Sequence, residues 1–326
     1  FLATGGVQWA LAEGAGRGER LTVRGDGLEI VGTREARATL RFVPDGGATA
    51  LDLEAVRIDA TATSVEAWGD VRLDATGPTG DSGMLAEHVR VDERVGPEGS
   101  TLTVLAERVR EGLLQQGART VALEAELLEL SLLGGTEGAI DLESFRASGE
   151  VGALVALPGA LRIEADVLEG SGATEARATA LPGRRVRAEG LLPGTEDPFV
   201  LAADELTVGA ESLRATRVEL DLGTPLVPIG SRARPVAARA ATSRLLADLL
   251  TVAPTETVLQ GGVLVETQDL EGVPVQLEAQ LLRLATQDLQ DVETVTLDSL
   301  KAVDAEGAVR LRYGDGAVVE ASALRM

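Results

Sequence analysis

The chain has 326 residues, of which 44% are apolar but only 2% aromatic, so a core must be built mainly from Leu, Val and Ala. Its net charge of −22 argues against nucleic acid and against an anionic membrane surface as partners, because both bind clustered Lys and Arg. The absence of cysteine excludes disulfides, thiolate metal sites and a cysteine nucleophile.

Short alternating runs recur along the chain in two forms. The first reads apolar residue, spacer, Ala, an acidic or polar residue, any residue, then Leu or Val; it occurs at 51–58, 83–91, 103–111, 121–130, 161–170, 200–208, 275–284 and 318–326. The second reads Gly-x-Val-x-Leu or a close variant and lies between many of these, at 68–75, 148–155, 261–266 and 306–313. Apolar residues lie two apart in both forms, which is the period of a strand with one buried face. The sequence therefore predicts an all-β chain, an elongated stack of short antiparallel strands.

Some segments allow other local structures. Residues 125–130 and 243–250 could each form a turn or two of helix, but Gly or Pro interrupts nearly every run within about ten residues, which favours strands. The Gly-Asp-Gly sequences at 25–27 and 314–316 predict tight hairpin turns. The glycine-rich stretch 14–19 has no P-loop lysine, and we expect it to be a turn as well.

The repeat is clearest over 235–326 and around 120–210, and it is blurred over 1–50 and 211–234. These differences predict a boundary near residue 230, between an N-terminal part, 1–230, and a C-terminal part, 231–326. The start at Phe1 and the end at Met326, in the middle of the pattern, suggest a fragment of a longer protein.

No residue receives a catalytic role. His88, the single histidine, is expected to face outward with a structural role, because no nucleophile and orienting acid accompany it in a known motif. Trp9 and Trp68 are expected to pack in a core or groove. No calcium loop is found either. Taken together, these residues lead us to expect a protein that is not an enzyme and that carries no metal or cofactor.

The two alternating forms resemble the OstA-type domain of lipopolysaccharide-transport proteins, which is shared by the periplasmic LptA, the inner-membrane LptC and the N-terminal part of LptD. That domain alternates a Gly-Asn-Val-x-Val strand with a strand carrying Ala-Asp-x-Leu. The residues that match the pattern are Gly261, Gly262, Val263, Val265, Gly307, Val309 and Leu311 for the first strand and Ala279, Gln280, Leu282, Ala321, Leu324 and the pairs Ala165-Asp166 and Ala203-Asp204 for the second. The chain departs from the pattern in having no Asn after Gly and aliphatic residues in place of a frequent Tyr.

The resemblance implies a folded-over β-stack (a β-taco or β-jellyroll) with an apolar groove, in a periplasmic protein that bridges to the outer membrane. Such a protein would bind the acyl chains of lipopolysaccharide or a related glycolipid and would join other OstA-domain proteins through edge strands. Alternation alone assigns six residues to the groove: Val263, Val265, Leu277, Leu281, Val309 and Leu311. The alternative is a structural β-solenoid stalk or surface fibre with a closed core and no ligand. A phospholipid-transfer protein is a third possibility.

Overall fold

The structure is a computed structural model, and it describes residues 1–11, 14–43, 50–77, 80–96, 99–116, 119–134, 140–157, 159–172, 175–191, 198–209, 212–222, 243–253, 256–268, 272–286 and 300–325. These residues form 22 strands and no helix, which confirms the all-β prediction. Consequently, nothing in the described ranges is a helix that could cross a membrane.

The chain forms two compact units, the first made of residues 1–155 and 166–176 and the second of residues 156–165 and 177–326. The strands in the first part of the chain are β1 (Leu2–Leu11), β2 (Gly14–Arg24), β3 (Gly27–Val31), β4 (Ala38–Phe42), β5 (Ala50–Ala55), β6 (Arg57–Ala60), β7 (Ser64–Gly77), β8 (Gly80–Gly96), β9 (Gly99–Gln116), β10 (Arg119–Gly134) and β11 (Ile140–Leu157). The remaining strands are β12 (Gly159–Ser171), β13 (Glu175–Thr179), β14 (Val186–Leu191), β15 (Pro198–Ala203), β16 (Glu205–Val208), β17 (Leu213–Leu222), β18 (Ser243–Val252), β19 (Glu256–Gln268), β20 (Pro274–Thr286), β21 (Leu300–Tyr313) and β22 (Ala317–Arg325).

The first unit is an antiparallel meander with one closed ring of pairings. Strand β1 pairs with β2, and β7, β8, β9 and β10 each pair with the next. Strand β2 pairs with both β3 and β4. Strand β3 also pairs with β6, and β4 also pairs with β5. Strands β5 and β6 both pair with β7. Six strands therefore close a ring around a gap in the sheet.

The second unit is also an antiparallel meander. Strand β14 pairs with β12 and with β15, and both β15 and β16 pair with β17. From β17 to β22 each strand pairs with the next along the chain.

Each unit has a buried apolar face and a charged outer face. The largest fully buried side chains are all aliphatic and include Ile30, Leu51, Ile58, Leu102, Leu128, Leu201, Leu206, Leu245, Leu250 and Leu259. Among the described residues only strands are available to cover this face, and a strand that bends part-way along its length has two limbs, one on each side of the bend. The core of each unit thus lies on the inner face of its own bent sheet.

The two predicted hairpin turns and the two segments that allow a helix all lie in described parts of the chain. Gly25 and Asp26 join β2 to β3, and residues 314–316 join β21 to β22, so both hairpin turns are confirmed. Residues 125–130 and 243–250 lie in strands, as expected.

Two expectations about the strands are wrong. Residues 14–19 do not form a turn but begin β2. Many strands are also not short, since β9 and β11 each have 18 residues. Such lengths arise because one strand continues through a bend instead of ending there.

The predicted boundary near residue 230 lies outside the described residues and stays a prediction. The strands on either side of it, β17 and β18, pair with each other from Leu213↔Val252 to Leu222↔Ser243.

Candidate functional site

The bends are made by consecutive residues in the left-handed region of backbone conformation. Gly69 and Asp70 in β7 have φ values of 85° and 51°, and Gly149 and Glu150 in β11 have values of 75° and 43°. The same pair of positive φ values occurs in two further strands of the Gly-x-Val form, at Gly261-Gly262 in β19 and Gly307-Ala308 in β21. We call each such pair and the residues opposite it a corner.

At a corner, two residues of one strand oppose a single residue of the next. Trp68 pairs with His88 and Val71 with Ala86, so that Gly69 and Asp70 together face Glu87. The same shift occurs where Gly261-Gly262 faces Gln280 and where Gly307-Ala308 faces Ser322. This arrangement is a β-bulge, which bends the strand and increases its twist.

The first residue of the pair is glycine for a second reason besides its backbone conformation. A Cβ on Gly149 would lie 2.8 Å from Glu126 Oε2 and 2.9 Å from Glu126 Cβ, and a Cβ on Gly307 would lie 2.8 Å from Gln280 Cβ. Glu126 and Gln280 are the residues after Ala in the Ala-acid form of the repeat. The glycine of one sequence form therefore lies against the residue after Ala in the other form, on the neighbouring strand.

The Ala-acid strands cross the corner differently. In β8 the buried residues on either side of the corner are Ala86 and Val89, three residues apart instead of two or four. The same spacing of three separates the buried residues of β10 (Ala125 and Leu128), β18 (Ala247 and Leu250) and β20 (Ala279 and Leu282). The sequence Ala-acid-x-Leu is thus the corner itself, with Ala and Leu inside and two residues outside.

The structure places five of the six predicted groove residues on the inner face. Val263, Val265, Leu277 and Val309 are buried, with exposed fractions of 2, 5, 6 and 3%. Leu311 pairs with Leu277 on the same face and is half-buried.

Leu281 is placed differently. It pairs with the exposed Gln260 and Glu306 on the outer face, and Leu282 takes the buried position. Strict alternation predicts Leu281 for the groove because it expects every second residue to face inward. At the corner the inward residues Ala279 and Leu282 are three residues apart, so the alternation is interrupted there.

The inner face is open at β22. Within the described part of the chain this strand pairs only with β21, and Val318 and Val319 are 52% and 50% exposed. Tyr313, at the end of β21, is also exposed. An inner row that is buried at Leu245, Val265 and Leu277 thus continues through Leu311 to the exposed Val319.

The outer face is held by ion pairs at the corners. Arg110 Nη2 lies 2.6 Å from Asp70 Oδ1, and this hydrogen bond, together with the charge of Arg110, lowers the pKa of the Asp70 carboxyl. Arg108 Nη1 lies 2.6 Å from Glu87 Oε2 on the neighbouring strand. These pairs are exposed to solvent, so each is expected to contribute little to stability.

His88 and Trp68 form one cluster on this outer face. Their rings stack with centroids 5.4 Å apart, and the Arg57 guanidinium lies 5.1 Å from the Trp68 ring centroid. His88 Nε2 lies 3.0 Å from Glu66 Oε1, and Nδ1 lies 3.6 Å from Glu107 Oε1. His88 therefore faces outward as predicted, whereas Trp68 packs neither in the core nor in a groove.

Trp9 packs against β2. A Cβ on Gly16 would lie 2.7 Å from Trp9 Nε1, which explains why the glycines of 14–19 form a strand under this ring. The ring also lines an open cavity of about 440 Å³ together with Arg17, Arg41 and Asp52.

In the ranges that the structure describes, no three His, Asp or Glu side chains are placed to share a metal ion. Comparison with known proteins finds no matching family, no matching curated protein and no matching solved structure. The candidate site is therefore the apolar inner face with its corners and its open edge.

Proposed function

We propose that this protein is a non-enzymatic lipid conduit of the periplasm, which holds the acyl chains of lipopolysaccharide or a related glycolipid against its inner apolar face. Edge strands would join it to other β-stacked transport components between the inner and outer membranes. The observation that carries the proposal is the inner row that runs from buried residues to the exposed Val319 on β22. Such a row offers an acyl chain a continuous apolar surface that is reached from an open edge.

The chemistry of the two faces agrees with this function. The inner face is lined mainly by Leu, Val and Ala, which offer no hydrogen-bonding side chain to a passing acyl chain, and Ser100 and Ser243 are among its few polar residues. Burial of each methylene contributes about 0.8 kcal/mol. The outer face carries Arg and acid in ion pairs, which remain solvated while the sugar and phosphate part of a glycolipid stays in water.

The corners support the resemblance to the OstA-type domain. The second position of the corner has a positive φ at Asp70, Glu150, Gly262 and Ala308, and this is a conformation that Asn adopts more readily than most residues. The Gly-Asn-Val pattern of that domain would fit the same corner. A chain without Asn can make the corner only with other residues, as this one does.

The stalk with a closed core remains a second candidate because of one specific observation. Val263 and Val309 are only 2% and 3% exposed, as expected for side chains that pack against each other without a ligand. For the conduit, the two limbs of the folded sheet must separate to admit an acyl chain.

Photo-crosslinking distinguishes the two candidates. A photo-reactive amino acid is placed at Val263 or at Val309, on the inner face, and in matched controls at their neighbours Leu264 and Arg310, in cells of a Gram-negative bacterium that exports the protein. We expect lipid crosslinks at Val263 and Val309 alone. Absence of lipid at all four positions, in a folded and exported protein, would favour the closed stalk.

A further inference from the structure

Two segments of the chain have the same arrangement of strands. In the first, the chain forms β3, leaves the sheet over 32–37, returns as β4, and later forms β5 and β6. In the second it forms β13, leaves the sheet over 180–185, and returns as β14, which is followed by β15 and β16. Strand β13 starts at residue 175, which is 148 residues after the start of β3 at residue 27. Strands β15 and β16 likewise start 148 residues after β5 and β6.

The pairings and the burial repeat with the same offset. The pairs β2–β4, β4–β5, β5–β7, β6–β7 and β3–β6 correspond to β12–β14, β14–β15, β15–β17, β16–β17 and β13–β16. The buried residues that correspond are Ile30 and Ala178, Ala38 and Val186, Leu51 and Phe199, Leu53 and Leu201, Ala55 and Ala203, Ile58 and Leu206, and Ala67 and Ala215. Three of these seven pairs differ in side-chain size and three are identical, so the match lies in the backbone and the inward pattern more than in the residue types.

Single hydrogen bonds also recur. Val56 N donates to Trp68 O at 3.1 Å, and Asp204 N donates to Thr216 O at 3.0 Å, where each donor is the one residue that interrupts the strand. In each segment an arginine that ends the excursion from the sheet donates to the carbonyl of a residue with positive φ, Arg37 to Asp70 O and Arg185 to Arg217 O.

These interruptions make split corners, at which neighbouring strands are joined by single backbone and arginine hydrogen bonds in place of a continuous ladder. One split corner lies at residues 32–37 and 56, and the other at 180–185 and 204. In both segments unsplit strands follow, β7 to β10 in one and β17 to β22 in the other. A sheet with a local gap in its ladder separates there at lower cost than at a continuous corner.

We infer that the chain holds two equivalent acyl-chain-binding compartments, one behind each split corner, so that one chain binds two lipid molecules. This inference rests on the proposed function and adds its number of sites. Leu53 and Leu201 lie at corresponding positions on the two inner faces, with exposed fractions of 2% and 1%. They are therefore the residues through which each compartment can be blocked separately.

Native mass spectrometry of the full chain with purified lipid A tests the number of sites. We expect two bound lipids for the unchanged protein, one for Leu53→Trp, one for Leu201→Trp and none for the double variant, because an added indole fills the inner face of one compartment only. Glu54→Trp and Ala202→Trp, on the outer face beside them, are the matched controls and should keep both lipids.

A crosslinking variant covers the case in which the indole prevents folding. Since the chain has no cysteine, Leu53→Cys and Leu201→Cys can each carry a single benzophenone label, and we expect lipid crosslinks of similar yield at both. Two results would overturn the two-compartment inference but keep the conduit. One is that the unchanged protein binds a single lipid, which either tryptophan substitution removes; the other is that lipid crosslinks form at only one of the two cysteine positions. No bound lipid, together with no crosslink at Val263, would instead refute the conduit itself.

Discussion

At the scale of single residues, the corners depend on glycine at one position more than on any apolar side chain. Gly149 combines a φ of 75° with a close approach of Glu126 from the neighbouring strand. A side chain there would have a strained backbone and would also displace Glu126. Residues other than glycine in such conformations cost of the order of 1–3 kcal/mol.

Gly149→Ala should therefore lower the free energy of unfolding by about 1–3 kcal/mol. Gly152→Ala, three residues further along the same strand, is the matched control, because a Cβ there would meet nothing within 4 Å. The control should be neutral or slightly stabilising. Urea unfolding of both variants, followed by circular dichroism, measures the difference, and equal effects of the two substitutions would contradict this account of the corner.

At the scale of the strand, alanine opposite valine recurs on the inner side of the corner. Ala86 pairs with Val71, Ala106 with Val89, and Ala279 with Val263. The bulge bends the strand at this position, so we expect only a small side chain to fit on the inner side of the bend. The alanines, which are the smallest side chains of the core, thus lie at the bend, and the leucines lie further along each limb.

Enlarging a corner alanine should be costly. We expect Ala86→Leu to lower the free energy of unfolding by about 1–3 kcal/mol, because the added methylenes force the packed limbs apart. Ala323→Leu, on the exposed side of β22, should change it by less than about 0.5 kcal/mol. A thermal or urea melt compares the two variants, and a stability of Ala86→Leu equal to that of the unchanged protein would show that the inner face has free space at the corner.

Alternation in the sequence predicts the strands and most of the inner face, but it does not predict the corners. Val263, Val265, Leu277 and Val309 follow the period of two and are buried as expected. Leu281 breaks the rule because the backbone between Ala279 and Leu282 has a second outward residue, and period-two counting has no means of detecting it. The spacing of three in Ala-acid-x-Leu was visible in the sequence, and it is the signal that could have placed Leu282 inside.

Other features could not be predicted because they depend on distant residues. The strand formed by 14–19 exists because glycines on β2 leave room for Trp9, which alternation cannot reveal. The stacked Trp68 and His88 come from neighbouring strands whose register is set by the corner between them. The recurrence of the split corners after 148 residues is visible only in the pairings, since few side chains are shared.

At the scale of the whole molecule, the edge of the second unit at β22 bears on self-association. Among the described residues strand β22 is paired on one side only, and its other side lies beside the exposed Val318 and Val319. An open apolar edge is a template for further strand pairing.

We expect the chain to self-associate through β22 as its concentration rises. The double variant Val318→Thr, Val319→Thr keeps the side-chain shape and the strand propensity but removes apolar surface, so it should weaken association. Val95→Thr, at an exposed valine of β8 in the first unit, is the control. Sedimentation velocity over a range of concentrations measures the effect, and unchanged association of the double variant would rule out this edge as the contact.

Because a corner is made only by a glycine strand and the strands directly beside it, the corners also bear on how such a protein changes in evolution. The bulge of a glycine strand lies opposite the Ala-acid-x-Leu segment of an alanine strand, so a hairpin made of the two strands contains its own corner. Gain or loss of a hairpin would leave every other corner intact and would change a sheet by two strand widths, or roughly 10 Å. Length can therefore vary between descendants of one ancestral chain without redesign of the interior, as it does in other proteins assembled from repeats.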